Sequence, residues 1–119
     1  MKATIIAGCI VLSVLSAPGA HAATMLPPLE YDHPYDGELK FITDLDQDTI
    51  KRMCGPKTSV ACILGGGKLS YAYAAKECWI ALARQEEIDR LGLNREMVIR
   101  HEIGHCNGWP LDHPTPRWE

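Results

Sequence analysis

The sequence lacks a cluster of basic residues, an internal repeat and a low-complexity tract. It has 12 lysines and arginines against 15 aspartates and glutamates, which gives a formal net charge of −3. Because a mildly acidic chain without a basic patch attracts neither nucleic acid nor an anionic membrane surface, we expect neither as a partner. Two ligand motifs are also incomplete. Gly65–Gly67 is not followed by the Lys-Ser/Thr of a phosphate loop, and Asp44, Asp46 and Asp48 lack the glycine and closing glutamate of a calcium loop.

An apolar run near the N-terminus extends from Ala3 to Leu15, which is too short for a comfortable membrane span. It follows Lys2 and precedes Ala20-His21-Ala22, a small-x-small cleavage site. This order predicts a secretory signal peptide of residues 1–22, cut after Ala22. A retained N-terminal anchor is the alternative. We therefore expect one small domain, residues 23–119, that is exported to the periplasm or the extracellular space without a stable membrane anchor.

The cysteines of the exported domain form an even set once Cys9 leaves with the signal peptide. Four cysteines in a small exported domain predict two disulfides, and a modest core needs such cross-links. Three pairings are possible, and the sequence does not choose among them. We prefer Cys54 with Cys62, which closes a short loop, and Cys78 with Cys106, which ties a strand to the back of the helix described next. The competing interpretation makes Cys106 a metal ligand or an inhibitory thiol.

Two histidines four residues apart, His101 and His105, carry the strongest chemical signal in the chain. On a helix this spacing turns the chain roughly 40° past one full turn, so both imidazoles leave the same face. They then form two corners of a zinc tetrahedron. Glu102 lies roughly 100° round the helix from His101, beside the metal, where it can take a proton from zinc-bound water. This is the H-E-x-x-H arrangement of a metallopeptidase helix.

A catalytic zinc needs a third protein ligand, so the helix has to end soon after His105. Gly108 is placed to end it, because glycine takes positive φ at little steric cost, and Pro110 prevents it from resuming. The chain can then return with Asp112 or His113. We favour His113, because imidazole suits zinc and because the residue before a proline is expected to be extended. Asp112 is the second choice, or the carboxylate that orients a histidine ligand.

The stretch from His101 to Gly108 resembles the H-E-x-x-H-x-x-G pattern of the zincin metallopeptidases, and within them the metzincins and their small relatives. In metzincins the third ligand falls three residues after the glycine, which is Leu111 here. Metzincins also carry a methionine-containing turn beneath the metal, and residues 114–119 contain no methionine. The resemblance implies zinc-dependent hydrolysis of peptide bonds and a strand along the cleft edge that pairs with extended substrate. Lys76 to Ala83 is the strand that we expect there.

The fold that we predict is a small single α+β domain, with a short mixed or antiparallel sheet, a central H-E-x-x-H helix and stabilising disulfides. Strands are expected at 38–43, 59–64, 69–75 and 76–83, and helices at 44–53, 84–91 and 94–107. The proline-rich residues 24–37 are expected to pack across the domain as an N-terminal arm. The alternative is that Tyr31 or Tyr35 reaches the site, or that His33 acts as a ligand.

These features predict an exported, monomeric zinc metallopeptidase. His101, His105 and His113 hold Zn²⁺, and Glu102 is the general base. The expected substrates are peptides or proteins, including peptidoglycan peptides. The second hypothesis is a zinc-stabilised, non-catalytic binding module, such as an accessory protein of an envelope or transfer complex. The third is a small disulfide domain without a metal.

Overall fold

Three strands form a mixed sheet whose middle strand is almost wholly apolar. The computed structural model describes residues 22–64 and 76–119. The strand order is β2 (Glu38–Leu45), β4 (Glu77–Ala83) and β3 (Ala61–Ile63). β2 runs parallel to β4, and β3 runs antiparallel to it. Because β4 is flanked on both sides and covered by helices, its residues from Ile80 to Ala83 are all buried, which explains the apolar run.

A second, two-stranded sheet joins the two ends of the described chain. β1 (Met25–Leu26) pairs antiparallel with β5 (Arg117–Trp118). Thr24 and Glu119 extend this pairing through two backbone hydrogen bonds of 2.6 and 3.0 Å. A short 3₁₀ helix, Leu29–Tyr31, follows β1. The N-terminal arm is therefore held in place by the C-terminal segment.

Three α-helices lie in the described part of the chain, and their starts follow from the sequence. They are α1 (Gln47–Cys54), α2 (Gln85–Arg90) and α3 (Arg95–Cys106). The Asp46 carboxylate accepts a hydrogen bond from the Thr49 N–H of α1 at 2.8 Å. The Asn94 side chain accepts one from the Met97 N–H of α3 at 3.1 Å. Both side chains cap N–H groups that have no partner within the helix.

The two disulfides connect the helices to the sheet. Cys54 at the end of α1 is bonded to Cys62 of β3, and Cys78 of β4 is bonded to Cys106 at the end of α3. The preferred pairing is confirmed, and Cys106 lies in the core rather than among metal ligands. Two disulfides are typical of a chain that works in an oxidising, exported environment. No helix in the described ranges is both long and apolar enough to span a membrane.

The small α+β fold, the mixed sheet and the disulfide stabilisation are confirmed, but one strand was misplaced. We expected the strand at 76–83 to border the active cleft. Instead β4 is the middle strand, because it pairs with β2 on one side and with β3 on the other. The short β3 is the edge strand beside α3. The predicted signal peptide, the turn at Gly65–Gly67 and the predicted strand at 69–75 lie outside the described residues.

Candidate metal site

Three imidazole rings meet at one end of α3, and their Nε2 atoms form a nearly equilateral triangle. The Nε2 atom of His101 lies 3.3 Å from that of His105 and 3.2 Å from that of His113. The third side, between His105 and His113, measures 3.1 Å. The two helical histidines come together through their spacing of four residues, whereas His113 returns from the loop that follows the helix. The structure thus brings together the three predicted ligands.

Backbone carbonyls fix the protonation of two of these rings. The Nδ1 atom of His101 lies 2.7 Å from the carbonyl oxygen of Met25, and that of His105 lies 2.8 Å from the carbonyl oxygen of Trp109. A carbonyl oxygen can only accept, so each Nδ1 carries the proton and donates it. Each Nε2 is therefore left with a bare lone pair that points into the triangle. A metal-binding histidine usually donates its distal N–H to such an acceptor, which fixes the orientation of the ring.

Burial favours the uncharged form of the three clustered imidazole rings. Burial lowers the pKa of His105 to about 4, although its bond to the Trp109 carbonyl raises it. Burial also lowers the pKa of His101 and that of His113. Near neutral pH the three rings are uncharged, and the Nε2 lone pairs of His101 and His105 face each other at 3.3 Å. A cation at the centre turns this repulsion into attraction, and the donor set therefore fits a metal ion.

The size of the triangle also fits zinc. Tetrahedral coordination with Zn–N bonds of about 2.0–2.1 Å places ligand nitrogens about 3.3–3.4 Å apart. The observed separations of 3.1–3.3 Å differ from this by a few tenths of an ångström at most. Three histidine ligands leave the fourth tetrahedral position open, as in catalytic rather than structural zinc sites. Copper and nickel also bind imidazole, so the three histidines could hold any of these metal ions.

A Schellman motif ends α3 at the point where the loop that carries His113 begins. Gly108 has φ +108°, and its N–H donates to the His105 carbonyl at 3.0 Å. The Trp109 N–H donates to the Gly104 carbonyl at 3.0 Å. This pair of bonds closes the helix through a glycine at the first position beyond it. The helix stop predicted at Gly108 is confirmed.

The backbone of His113 departs from the sequence-based expectation. We expected an extended residue before Pro114, but His113 has φ +60°. The loop makes a turn in which the His113 N–H donates to the Pro110 carbonyl at 3.0 Å. Histidine enters this left-handed region more readily than most residues. The turn returns the ring to the helix, and backbone strain of this kind is typical of functional positions.

Trp109 lies under the whole cluster, and its importance was missed in the sequence. Its ring stacks on His105 with centroids 4.8 Å apart and meets His101 and His113 edge-on at 5.1 and 5.0 Å. The indole N–H donates to the Pro114 carbonyl at 2.9 Å and so fixes the returning loop. The side chain is 1% exposed. Trp109 thus packs against all three rings and holds the loop that carries His113.

The close approach of the N-terminal arm depends on Gly104, a second feature that was missed. A Cβ atom at this position would lie 2.7 Å from two side-chain carbons of Pro27. Pro27 is fully buried, and Met25, two residues earlier, supplies the carbonyl that orients His101. A glycine inside a helix often marks such an approach, which is the sequence signal that could have revealed it.

An ion-pair network holds the arm against α3 and β5. The Asp32 carboxylate accepts hydrogen bonds from Arg100 of α3, at 2.6 Å, and from Arg117 of β5. These bonds, that to Arg100 first, lower the pKa of Asp32. Arg117 also donates to the Pro27 carbonyl at 2.9 Å. The arm therefore packs across the domain as predicted, and it contributes a carbonyl to the site.

The alternatives that placed the side chains of His33 or Tyr35 at the site are wrong. His33 is exposed, and its ring nitrogen Nδ1 forms a hydrogen bond with the carbonyl oxygen of the neighbouring residue, Pro34. Tyr35 packs in the core with Cys78. Tyr31 contributes its carbonyl, which accepts from the Asn107 side chain at 2.9 Å.

Glu102 is buried and lines a cleft together with two of the three clustered histidines, His105 and His113. Its carboxylate lies 4.0 Å from His101 Nε2, and burial raises its pKa to about 8. The cleft has a volume of about 340 Å³. One wall consists of residues from the end of α1 and from β3, and the other of the loop after α3. The lining residues are Met53, Cys54, Thr58, Ala61, Cys62, Ile63, Glu102, His105, Leu111 and His113.

Asp112, the second choice for the third ligand, is exposed and is not among the residues that line the cleft. A larger cavity of about 500 Å³ lies between the arm, β2 and another part of α3. None of the three clustered histidines lines it. The chemistry of the described residues therefore concentrates in the smaller cleft. No protein-family model, curated protein or solved structure matches this chain.

Proposed function

We propose that this chain is an exported zinc-dependent metallopeptidase of the zincin type, with α3 as its central element. One observation carries the proposal. Three imidazole nitrogens lie 3.1–3.3 Å apart beside the buried carboxyl of Glu102, and Glu102, His105 and His113 line a single cleft next to an edge strand. A purely structural zinc site has no need for a buried acid or for a substrate-sized opening. The two disulfides support the proposed export.

The proposed role of Glu102 is to move a proton between water and substrate. A zinc ion held by the three histidines would polarise the substrate carbonyl and acidify a water molecule. The Glu102 carboxylate, 4.0 Å from His101 Nε2, lies within reach of that water. A nearby dication favours the charged form of the carboxyl and so lowers its pKa from the value set by burial alone. Glu102 then accepts the proton and passes it to the leaving nitrogen.

The edge of β3 supplies a place for the substrate backbone. The Val60 carbonyl accepts a hydrogen bond from the Ala83 N–H, and the Leu64 N–H donates one to the Trp79 carbonyl, at 2.8 Å each. Since hydrogen-bonded residues alternate along an antiparallel strand, the N–H and C=O groups of Ala61 and Ile63 point away from β4. Both residues line the cleft. An extended peptide can add there as a further strand, with its carbonyl groups directed towards the histidines.

Glu102→Gln tests the proposal, because the amide keeps the shape of the side chain but cannot take up the proton. Zinc binding should persist, while cleavage of peptides or of cross-linked peptidoglycan fragments should fall by at least about 10²-fold. Glu96→Gln, an exposed substitution on the same helix, is the matched control. If zinc binds but neither substrate class is cleaved by the wild type, the peptidase proposal fails and the zinc-stabilised binding module replaces it.

A further inference from the structure

The cleft beside the histidines exposes large apolar side chains that a monomer usually buries. Leu111 is 64% exposed and Met53 is 37% exposed, and they come from the two different walls. Ala61, Ile63 and the Cys54–Cys62 disulfide add further apolar surface between them. An apolar surface continuous with a catalytic group is the usual form of a site for a small ligand or side chain.

Outside the proposed metal site, the described residues that line this cleft offer no group that could pair with a charged side chain. Among the described residues that line it, none is a lysine, an arginine or an aspartate. Its ionisable side chains are Glu102, His105 and His113, and these belong to the proposed metal site. A charged substrate side chain would lose water there without gaining a partner, which is costly. An apolar side chain would instead gain from the burial of both surfaces.

We propose that Met53, Leu111 and Ile63 form a subsite for one uncharged, apolar side chain of the substrate, next to the bond that is cleaved. The position follows from continuity, because the residues of this subsite and Glu102 line one cleft of about 340 Å³. This inference rests on the proposed function, since it names the class of peptide that the site accepts. Peptides with leucine or methionine beside the scissile bond are the preferred substrates, and those with glutamate or lysine there are poor ones.

Lysine substitutions test the subsite, and the chain offers matched controls. Met53→Lys places a cation in the cleft, whereas Leu91→Lys does so at an equally exposed position, 37%, outside it. Leu111→Lys is matched in the same way by Leu29→Lys, at 64% and 74% exposure. The substrates are two peptides that differ only in having leucine or glutamate beside the scissile bond. The kcat/KM for the leucine peptide divided by that for the glutamate peptide should fall at least about 10-fold in each cleft variant. The controls should keep the wild-type ratio.

Binding of amino-acid hydroxamates separates this inference from the peptidase proposal. Leucine, glutamate and lysine hydroxamates share one metal-chelating group and differ in the side chain. We expect zinc-loaded wild type to bind the leucine compound at least about 10-fold more tightly than the other two, and Met53→Lys to lose that preference. This result supports the subsite even if no peptide is cleaved, in which case only the proposed function fails. Equal binding of the three compounds by wild type, or a preference that both cleft variants retain, overturns the subsite.

Discussion

Replacement of Trp109 by phenylalanine should weaken both the fold and metal binding, because this one ring supports all three histidines. Phenylalanine keeps an aromatic face but removes the indole N–H that donates to the Pro114 carbonyl at 2.9 Å. Loss of that bond costs about 1–3 kcal/mol. The smaller ring leaves a cavity in a position that is 1% exposed, which adds about 1 kcal/mol or more. The free energy of unfolding of the metal-free protein should therefore fall by about 2–4 kcal/mol.

The metal affinity of the Trp109→Phe variant should fall by about 10- to 100-fold, the range typical when the support of a ligand is removed. The physical reason is that His113 depends on the Pro114 anchor and His105 on the stacked indole for their orientation. Urea unfolding in the presence of a chelator measures the stability. Competition with a chromophoric zinc chelator measures the affinity.

Trp79→Phe is the matched control for this experiment. Its indole N–H donates to Glu77 at 3.3 Å, and the ring lies on β4, away from the three histidines. The control should lose less than about 1 kcal/mol and keep the wild-type metal affinity. If Trp109→Phe binds zinc as tightly as the wild type and unfolds at the same urea concentration, the supporting role of this ring is refuted.

Three further predictions concern Gly104, His105 and Glu102. Gly104→Ala should destabilise the protein by about 1–3 kcal/mol in urea unfolding, because its Cβ would collide with Pro27 at 2.7 Å; unchanged stability would contradict the close packing. Burial lowers the pKa of folded His105 to about 4 from its ordinary 6.5, so the stability that its neutral ring provides is present above pH 6.5 and lost as the pH falls. In chelator, the free energy of unfolding of the wild type should therefore fall by about 2 kcal/mol more than that of His105→Gln between pH 7 and pH 5. If the difference in stability between the two proteins stays constant, the argument from burial is refuted. Burial raises the pKa of folded Glu102 to about 8 from its ordinary 4.5, so the stability that its neutral carboxyl provides is lost as the pH rises. Between pH 5 and pH 9 the free energy of unfolding of the metal-free wild type should fall by about 4 kcal/mol relative to that of Glu102→Gln. If the stabilities of the two proteins instead change in parallel with pH, this carboxyl is well solvated.

Much of the site could be predicted because its geometry is local. A spacing of four residues on a helix determines where His101 and His105 point, and Gly108 ends that helix through its own backbone freedom. The start of α3 was predictable for the same reason, since a cap such as Asn94 acts within three residues. The helix predicted at 44–53 instead begins at Gln47, because residues 44 and 45 extend β2.

The features that were missed depend on contacts between distant parts of the chain. The carbonyl of Met25 reaches His101 from 76 residues away, and no local pattern announces that pairing. The order of the strands is likewise not local. β4 is as apolar as expected, but only the way in which the chain crosses over decides that it lies inside the sheet and that β3 lies at its edge. The positive φ of His113 departs from the extended conformation expected before a proline. The turn that begins at Pro110 and the hydrogen bond from Trp109 to Pro114 impose it.

The central claim is that His101, His105 and His113 bind one metal ion with an open fourth position. Titration of the metal-free protein with cobalt(II), followed by its visible absorption, tests this claim most directly, because four-coordinate cobalt absorbs far more strongly than six-coordinate cobalt. We predict one cobalt ion per chain, intense bands that zinc abolishes by displacement, and loss of these bands in His113→Ala but not in Asp112→Ala. The account would be contradicted if the protein bound no cobalt, or if His113→Ala bound it with an unchanged spectrum.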